Sequence, residues 1–137
     1  MDRCSRSSCP VVFALDVFGD RWSLLVIRDL AMRESSTYSQ FLAAGEGIST
    51  NVLADRLKRL EAKGILSKEP DPEHAGRSRY RLTPKGRDLL PVLLEMIRWS
   101  AKHDPESPIP ADLRATFESD PRAAIAEWLA LLSSRPT

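Results

Sequence analysis

Apolar residues recur at helical spacing through the first half of the chain. Runs of this kind, bounded by glycine, proline or clusters of polar residues, predict amphipathic helices. The last run is the most regular, because Leu53, Leu57 and Leu60 repeat at i, i+4 and i+7. We therefore predict four helices, over residues 11–18, 21–33, 37–44 and 50–63.

The predicted helix 50–63 has a polar face opposite its leucine stripe. Ser49 is placed to cap the helix and Gly64 to end it. Few long hydrophobic side chains fall on the opposite side. At about 100° per residue, that side carries Asn51, Asp55, Lys58 and Ala62, with Thr50 at the leading end and Arg59 on the flank.

Two short segments after Gly64 alternate between apolar and polar residues. Residues 65–69 and 77–83 predict two strands, joined by a long loop that is rich in turn residues. Alternation places Tyr80 on one face of the second strand and Arg77, Arg79 and Arg81 on the other. We therefore expect the hairpin to present three guanidinium groups together.

The second half of the chain begins with an unusually apolar helix. It is predicted to start at Thr83-Pro84, and eight of the eleven residues 89–99 are apolar. This exceeds one buried stripe, so we expect one side to pack on the protein's own core and the other on a second subunit. Pro91 is expected to kink the helix or to mark its start. A proline-rich linker and a last helix from Asp120-Pro121 follow, and the last helix carries an apolar stripe of Ile125, Trp128, Leu129 and Leu132.

The composition is that of one well-buried domain, since the chain has 137 residues and 42% of them are hydrophobic. No apolar run approaches the roughly 18 to 20 residues of a membrane span, and the start lacks the apolar region of a secretory signal. We therefore expect a cytoplasmic protein without membrane contact. Cys4, Cys9, His74 and His103 do not have the spacing of zinc ligands, so we expect no metal and no cofactor.

Charge is balanced over the whole chain but not along it. The 20 basic and 19 acidic residues give a net charge of +1. Residues 51–87 hold ten basic and five acidic side chains, a local charge of about +5, while every other block is slightly negative. Such a block is equally typical of a face that meets an anionic partner and of a solvated surface.

The predicted elements have the layout of a winged helix-turn-helix. They are a short helix, a tight turn, an amphipathic helix with a polar outer face and an arginine-rich hairpin. The major groove of DNA admits one α-helix, and hairpin arginines suit the minor groove or the backbone. We therefore expect a mainly α fold with a small β-hairpin (α+β). Catalysis is not expected, because no nucleophile elbow, phosphate loop or metal cluster is present and the acidic Glu69, Asp71 and Glu73 fall in a predicted solvated turn.

Several ordered stretches match one known family, namely Cys9-Pro10-Val11, Gly19-Asp20-Arg21-Trp22-Ser23-Leu24-Leu25, Gly47-Ile48-Ser49, Leu53-Ala54-Asp55-Arg56-Leu57, Gly64-Ile65-Leu66 and Tyr80-Arg81-Leu82-Thr83. They resemble the HxlR-type branch of the MarR-like winged helix-turn-helix transcriptional regulators. The resemblance implies a homodimeric regulator of bacterial type, in which each subunit reads one half-site of a near-palindromic operator in double-stranded DNA. It divides the chain into residues 1–103, a winged-helix domain with dimerisation helices at both ends, and residues 104–137, a helical extension.

The residues expected to contact DNA lie on helix 50–63, before helix 37–44 and in the hairpin. For Asp55, a hydrogen bond from a cytosine amino group and an ion pair with Arg59 are equally compatible with the spacing. Arg56 sits between the buried stripe and the outer face, which favours a salt bridge or a phosphate contact over base readout. The full expected set is Ser36, Thr37, Ser49, Thr50, Asn51, Asp55, Arg56, Lys58, Arg59, Arg77 and Arg79, with Ser36 and Thr37 as helix caps first and phosphate donors second.

Cys9 has two alternative interpretations. Some members of the family resembled here sense thiol oxidation with a cysteine at this position, before proline and near the dimer interface. The other interpretation is a small buried hydrophobic residue. No cysteine lies downstream, so a disulfide would need Cys4, Cys9 of the partner subunit or a small thiol. The expected dimer interface comprises Val11, Val12, Leu15, Leu90, Leu94 and Ile97.

The function expected is therefore that of a dimeric, sequence-specific regulator of transcription. We expect a repressor, although nothing in the residues separates repression from activation, and its DNA affinity is expected to respond to a small-molecule or redox effector. A shift of a few Å between recognition helices would suffice, because they must match successive major grooves about 34 Å apart. The alternative is a winged-helix module that binds protein and not DNA. The tail is expected to add buried area to the dimer.

Overall fold

The computed structural model describes residues 8–33, 35–44 and 46–133, which form two compact units. The first unit ends at Gly86 and the second begins at Arg87. No helix among the described residues is long and apolar enough to cross a membrane. In chain order the elements are α1 (Pro10–Phe18), α2 (Arg21–Met32), β1 (Ser36–Thr37), α3 (Tyr38–Leu42), α4 (Thr50–Ala62), β2 (Leu66–Pro70), β3 (Ser78–Leu82), α5 (Pro84–Arg87), α6 (Leu90–His103), α7 (Ala111–Ser119) and α8 (Pro121–Ser133).

The helices of the first unit begin where side chains can cap them. The Asp20 carboxylate accepts a hydrogen bond from the Ser23 amide at the start of α2, and the Ser49 hydroxyl accepts one from the Val52 amide at the start of α4. Each cap satisfies an amide that the helix leaves unpaired and stabilises the helix by about 1 kcal/mol. The predicted helix starts are therefore confirmed for α2 and α4.

A three-stranded antiparallel sheet has β3 as its central strand. β2 and β3 form the predicted hairpin, with Leu66 opposite Leu82 and Pro70 opposite Ser78. The remaining strand, β1, pairs Ser36 with Tyr80 on the other side of β3. The sequence pattern does not predict β1, because a strand of two residues is too short to show alternation.

The core of the first unit lies between α2, α3, α4 and the sheet. The leucine stripe of α4 is buried as predicted, and burying a leucine side chain contributes about 1.5–3 kcal/mol. Phe41 of α3 meets Tyr80 of β3 edge to face, with ring centroids 6.0 Å apart. The inner face of α4 is therefore held by the core while its outer face remains open. The buried apolar residues of these elements are Val26, Ile27, Leu30, Phe41, Leu53, Leu57, Leu60, Leu66 and Tyr80.

The turn from α4 into β2 is tied to the end of the hairpin. Gly64 has a φ of +75°, a left-handed conformation that glycine adopts without strain at the end of a helix. Gly86 packs directly on this turn, because a Cβ added there would lie 2.1 Å from the Ile65 carbonyl oxygen. The Thr83 hydroxyl donates to the Gly64 carbonyl and is also 3.1 Å from the Ile65 carbonyl. The base of the hairpin is therefore anchored to the end of α4.

The second unit consists of α6, α7 and α8, which pack on one another. Phe117 of α7 and Ala124 of α8 are fully buried.

The long helix predicted from Thr83-Pro84 is interrupted after α5, and α6 starts with Pro91 in its first turn, where the missing amide hydrogen is no loss. The sequence pattern does not predict α7, and α6 belongs to the same compact unit as α7 and α8. The predicted stripe of α8, Ile125, Trp128, Leu129 and Leu132, lies outside the side chains that the structure describes.

Candidate nucleic-acid interface

α3 and α4 form a helix-turn-helix whose geometry is set by hydrogen bonds at both helix starts. The Tyr38 hydroxyl donates to the Thr50 carbonyl at 2.7 Å, which links α3 to the first turn of α4. Thr37 caps α3 in a reciprocal pair: the Gln40 amide donates to the Thr37 hydroxyl, and the Thr37 amide donates to the Gln40 side chain. Thr37 and Ser49 thus take up their expected role as caps.

The predicted polar face of α4 is exposed to solvent. Asn51 stands in the first turn, and Lys58 lies almost two turns further along. Within the part of the chain that the structure describes, Lys58 makes no ion pair. The face therefore offers an uncompensated cation and an uncharged amide to a partner. Its exposed side chains are Thr50, Asn51, Ala54, Asp55, Lys58 and Arg59.

Arg56 is held by carboxylates on two helices. Its Nε donates to Asp20 Oδ1 at 2.9 Å, and its Nη1 donates to Asp55 Oδ2 at 2.5 Å. Asp20 also accepts from the Ser23 amide at 2.9 Å and from the Ser23 hydroxyl at 2.7 Å. Arg56 therefore connects the N-cap of α2 to α4, which agrees with the salt bridge that its position favoured.

The ion pair between Asp20 and Arg56 favours the charged form of both side chains. Burial raises the pKa of Asp20, but the hydrogen bonds from Ser23 and Arg56 outweigh burial and leave that pKa below its ordinary value. The hydrogen bond to Asp20 raises the pKa of Arg56, with a smaller contribution from Asp55. Both groups are therefore ionised throughout the neutral range.

Asp55 faces two guanidinium groups. Besides its bond with Arg56, its carboxylate lies 3.7 Å from Arg59 Nη1, one turn further along the helix. Of the two alternatives for Asp55, the structure places it in the ion pair with Arg59. Both arginines approach Oδ2, so Oδ1 remains available as an acceptor, and the ion pair and a hydrogen bond from cytosine are compatible.

The hairpin loop is organised around Asp71, which is buried with its side chain 3% exposed. Its carboxylate accepts from the Glu73 amide at 3.0 Å, and its own amide donates to the Arg77 carbonyl at 2.9 Å. The expectation that Asp71 lies in a solvated turn is therefore wrong, because its side chain folds back to satisfy the loop backbone. Glu73 is exposed as expected.

The three hairpin arginines differ in how far their charge is compensated. Arg81 Nε donates to Glu69 Oε1 at 2.5 Å on the neighbouring strand, and Arg79 Nε lies 3.9 Å from Asp71 Oδ1. Only Arg77, beside the loop, is exposed and makes no ion pair with a described residue. The side chains of Arg79 and Arg81 stay 28% and 31% exposed, but carboxylates near them compensate their charges, so the expected set of three uncompensated guanidinium groups is reduced to that of Arg77.

Three further expected residues are buried and not at a surface. Ser36 is 0% exposed in β1, so its hydroxyl does not reach a phosphate. Leu90 and Leu94 are 8% and 3% exposed, so they do not face a second subunit. Apolar residues lie on both sides of α6, so the sequence pattern does not show which side is buried. On the exposed side of this helix lie Val92, Met96 and Trp99 instead.

The remaining expected interface residues lie on α1 and α6. Val11 and Leu15 are exposed on α1, and Val12 and Ile97 are half-buried. Cys9 is the N-cap residue of α1, where its side chain is exposed and its carbonyl accepts from the Phe13 amide at 3.1 Å. No group of side chains that could hold a metal ion occurs among the described residues.

Two carboxylates that support the site, Asp20 and Asp71, have no signal for that role in the sequence. Asp20 is predicted only as a cap, yet it also holds Arg56 at a separation of 36 residues. Asp71 has no local signal beyond its place between two prolines. The contact of Asp20 spans 36 residues, and that of Asp71 depends on how the hairpin loop folds back, so neither role leaves a periodic pattern in the sequence.

Comparison with known proteins identifies related helix-turn-helix proteins. A family model described as "HxlR-like helix-turn-helix" matches residues 17–108. An uncharacterised HTH-type transcriptional regulator of Synechocystis sp. is 40% identical over 88 residues. That alignment covers 64% of this chain and 64% of the relative's own length.

Two solved structures share the fold. PA1607, described as a candidate transcription factor, is 33% identical with a TM-score of 0.69, over 80% of this chain and 76% of that one. The redox regulator HypR in its oxidised form is 31% identical with a TM-score of 0.62, over 69% and 97% of the two chains. These similarities confirm the predicted mainly helical fold with a small sheet.

Proposed function

The chain belongs to the HxlR-like helix-turn-helix family, and from this premise we propose that it is a dimeric transcriptional regulator that binds DNA in a sequence-specific manner. The observation that carries the proposal is the exposed polar face of α4, whose inner face is held by buried leucines. The local charge of about +5 over residues 51–87 complements the phosphate backbone. A catalytic role is not part of the proposal.

In the proposed complex, α4 lies in the major groove and the hairpin contacts the minor groove or the backbone. Ser49, Thr50 and Asn51 face the bases or the nearest phosphates, because the N-terminal residues of a recognition helix approach the base edges. Lys58, Arg59 and Arg77 neutralise phosphates. Arg56 and Arg79 act through the carboxylates that hold them and position these surfaces.

The proposed second subunit covers apolar side chains that each unit leaves exposed. In the first unit these are Val11 and Leu15, and in the second they are Val92, Met96 and Trp99. Large exposed apolar residues grouped on one helix face are typical of a protein interface. Two subunits would place two recognition helices on half-sites about 34 Å apart in a near-palindromic operator.

We also propose that Cys9 makes this regulator responsive to oxidation. The redox regulator HypR has the same fold, and the Cys9 side chain is exposed at the start of α1. In the proposed step, two thiols lose two protons and two electrons to a hydroperoxide, which is reduced to an alcohol and water, and one disulfide forms. The second thiol is Cys4, Cys9 of the partner subunit or a small thiol. Cys4 lies outside the described residues.

Repression is the mode of regulation we propose, since a dimer bound across a promoter blocks access to it. A cytoplasmic location follows from a DNA ligand. A small-molecule effector at the dimer interface would act in the same way as oxidation, by changing the distance between the recognition helices.

The proposal is tested by binding to a duplex from the region upstream of the protein's own gene, against a scrambled duplex. Selective binding is expected, and it should weaken by about 10³- to 10⁵-fold between 50 and 200 mM salt if 6 to 10 phosphates are contacted. Reduced and oxidised protein are compared, with Cys9→Ser as the variant that should abolish any difference. Failure to bind either duplex at low salt would favour the protein-binding module.

A further inference from the structure

The exposed face of α4 favours contact with one type of base pair. Taking the DNA-binding function proposed above as given, we propose that α4 reads an A·T pair in each half-site. Asn51 makes hydrogen bonds to the adenine, and the Ala54 methyl group lies against the methyl group of a thymine. This specifies one base pair of the half-site, which neither the fold nor the net charge specifies.

The two arginines of α4 are engaged by carboxylates, and Arg59, though exposed, lies to one side of Asn51. Arginine is the residue that most often reads guanine, through a bidentate contact to O6 and N7. Arg56 is only 21% exposed and is bonded to Asp20 and Asp55, so reaching a guanine would break two charge-assisted hydrogen bonds. Arg59 is paired with Asp55 and lies about 80° around the helix from Asn51. Guanine readout by an arginine of α4 is therefore disfavoured.

Asn51 remains as the polar side chain at the leading end of the exposed face. It is the second residue of α4, it is exposed, and its amide bonds to no described residue. An asparagine amide carries one acceptor and one donor in the geometry that matches adenine N6 and N7 in the major groove. The side chain therefore has the position and the chemistry to read an adenine.

Ala54 extends the same surface by almost one turn. It is exposed, about 60° around the helix from Asn51 and about 4.5 Å further along the axis. A small apolar side chain in the major groove contacts the thymine methyl group. Lys58 stands about 10.5 Å beyond Asn51 along the axis, past the turns that approach the bases, and neutralises phosphate.

The first test is selection of preferred sites from random duplexes by the full-length protein and two variants. The wild type is expected to select an A·T pair at one position of each half-site. Asn51→Ala should lose the preference at that pair alone and bind the preferred site about 10- to 100-fold more weakly. The matched control Lys58→Ala, on the same face, should keep the preference, weaken all sites about equally and lower the salt slope by about one.

The second test changes atoms of the DNA, so it does not depend on how well a variant folds. Replacing the selected adenine by 7-deazaadenine removes the N7 acceptor and keeps the base pair. This should weaken wild-type binding by about 10-fold and leave binding by Asn51→Ala unchanged. Replacing the adjacent thymine by uracil removes the methyl group and should cost the wild type a few-fold, roughly the loss of one apolar contact.

The outcomes separate this inference from the function on which it rests. If the wild type selects no preferred sequence, the proposed sequence-specific function itself fails. If a G·C pair occupies the position that Asn51→Ala relaxes, or if that variant keeps every wild-type preference, the DNA-binding function stands and the adenine readout is overturned.

Discussion

α4 and α6 each bury one face and expose the other, but their exposed faces have opposite chemistry. α4 exposes amide and charged groups, whereas α6 exposes Val92, Met96 and Trp99, the last at 63%. A polar face stays hydrated without a partner, while each Å² of exposed apolar surface costs about 25 cal/mol until something covers it. The comparison indicates a polar, anionic partner for α4 and an apolar partner, such as a second subunit, for α6.

The largest expected effect is on the buried side of α4. Leu57→Ala should lower the free energy of unfolding by about 2–5 kcal/mol, because it removes buried methyl groups and leaves a cavity. Urea denaturation at a fixed protein concentration measures this. Lys58→Ala on the exposed side of α4 is the control, with an expected change within about 0.5 kcal/mol. Equal losses would contradict the distinction between buried and exposed faces.

A charge on the apolar face of α6 should break the proposed dimer. Met96→Glu is expected to raise the dimer dissociation constant by roughly 10- to 100-fold, because the carboxylate would have to be desolvated at the interface. Sedimentation velocity over a range of concentrations measures the change. Lys102→Ala alters the net charge by the same amount off the apolar stripe and should leave assembly as in the wild type. An unaffected dimer in Met96→Glu would place the interface elsewhere.

Acid should remove the contribution of the Asp20 charge. The pKa of Asp20 in the folded protein lies below its ordinary value of 3.8, so the stabilisation is present above that pH and is lost as pH falls through the lower folded pKa. Asp20→Asn should lower the free energy of unfolding by less than about 1 kcal/mol at pH 7 and by nothing in strong acid. Unfolding curves at a series of pH values below 7 check this, since the difference should shrink as pH falls, with the exposed Asp112→Asn as control. A difference that persists in acid would mean that the Asp20 charge is not its source.

The smallest expected effect concerns the hairpin. Arg77→Ala should weaken DNA binding a few-fold for every sequence and lower the salt slope by about one, because one phosphate contact is lost. Binding at several salt concentrations measures the slope. Arg122→Ala removes an exposed arginine of α8 and should change neither quantity. A loss confined to one sequence would show instead that Arg77 reads bases.

Prediction from sequence succeeded where the signal is local and regular. The leucine stripe of α4, its Ser49 cap and Gly64 at its end all come from residues within a few turns of one another. Prediction failed where nearly all residues of a helix are apolar, and where a strand is too short to show a pattern. In α6 so many residues are apolar that Leu90 and Leu94 could not be told from Val92 and Met96 by pattern. The two-residue strand β1 is too short for any pattern.

The sequence by itself determined the helices of the first unit, the hairpin and the family, because periodicity, caps and glycine positions act over short distances along the chain. Only the tertiary structure decided which cations face outward. Arg56 is bound to Asp20 across 36 residues, and Arg79 and Arg81 are paired with carboxylates of the hairpin, while Lys58 and Arg77 remain exposed. An ion pair depends on distance in space, and residues far apart in sequence come within 4 Å only when the chain has folded.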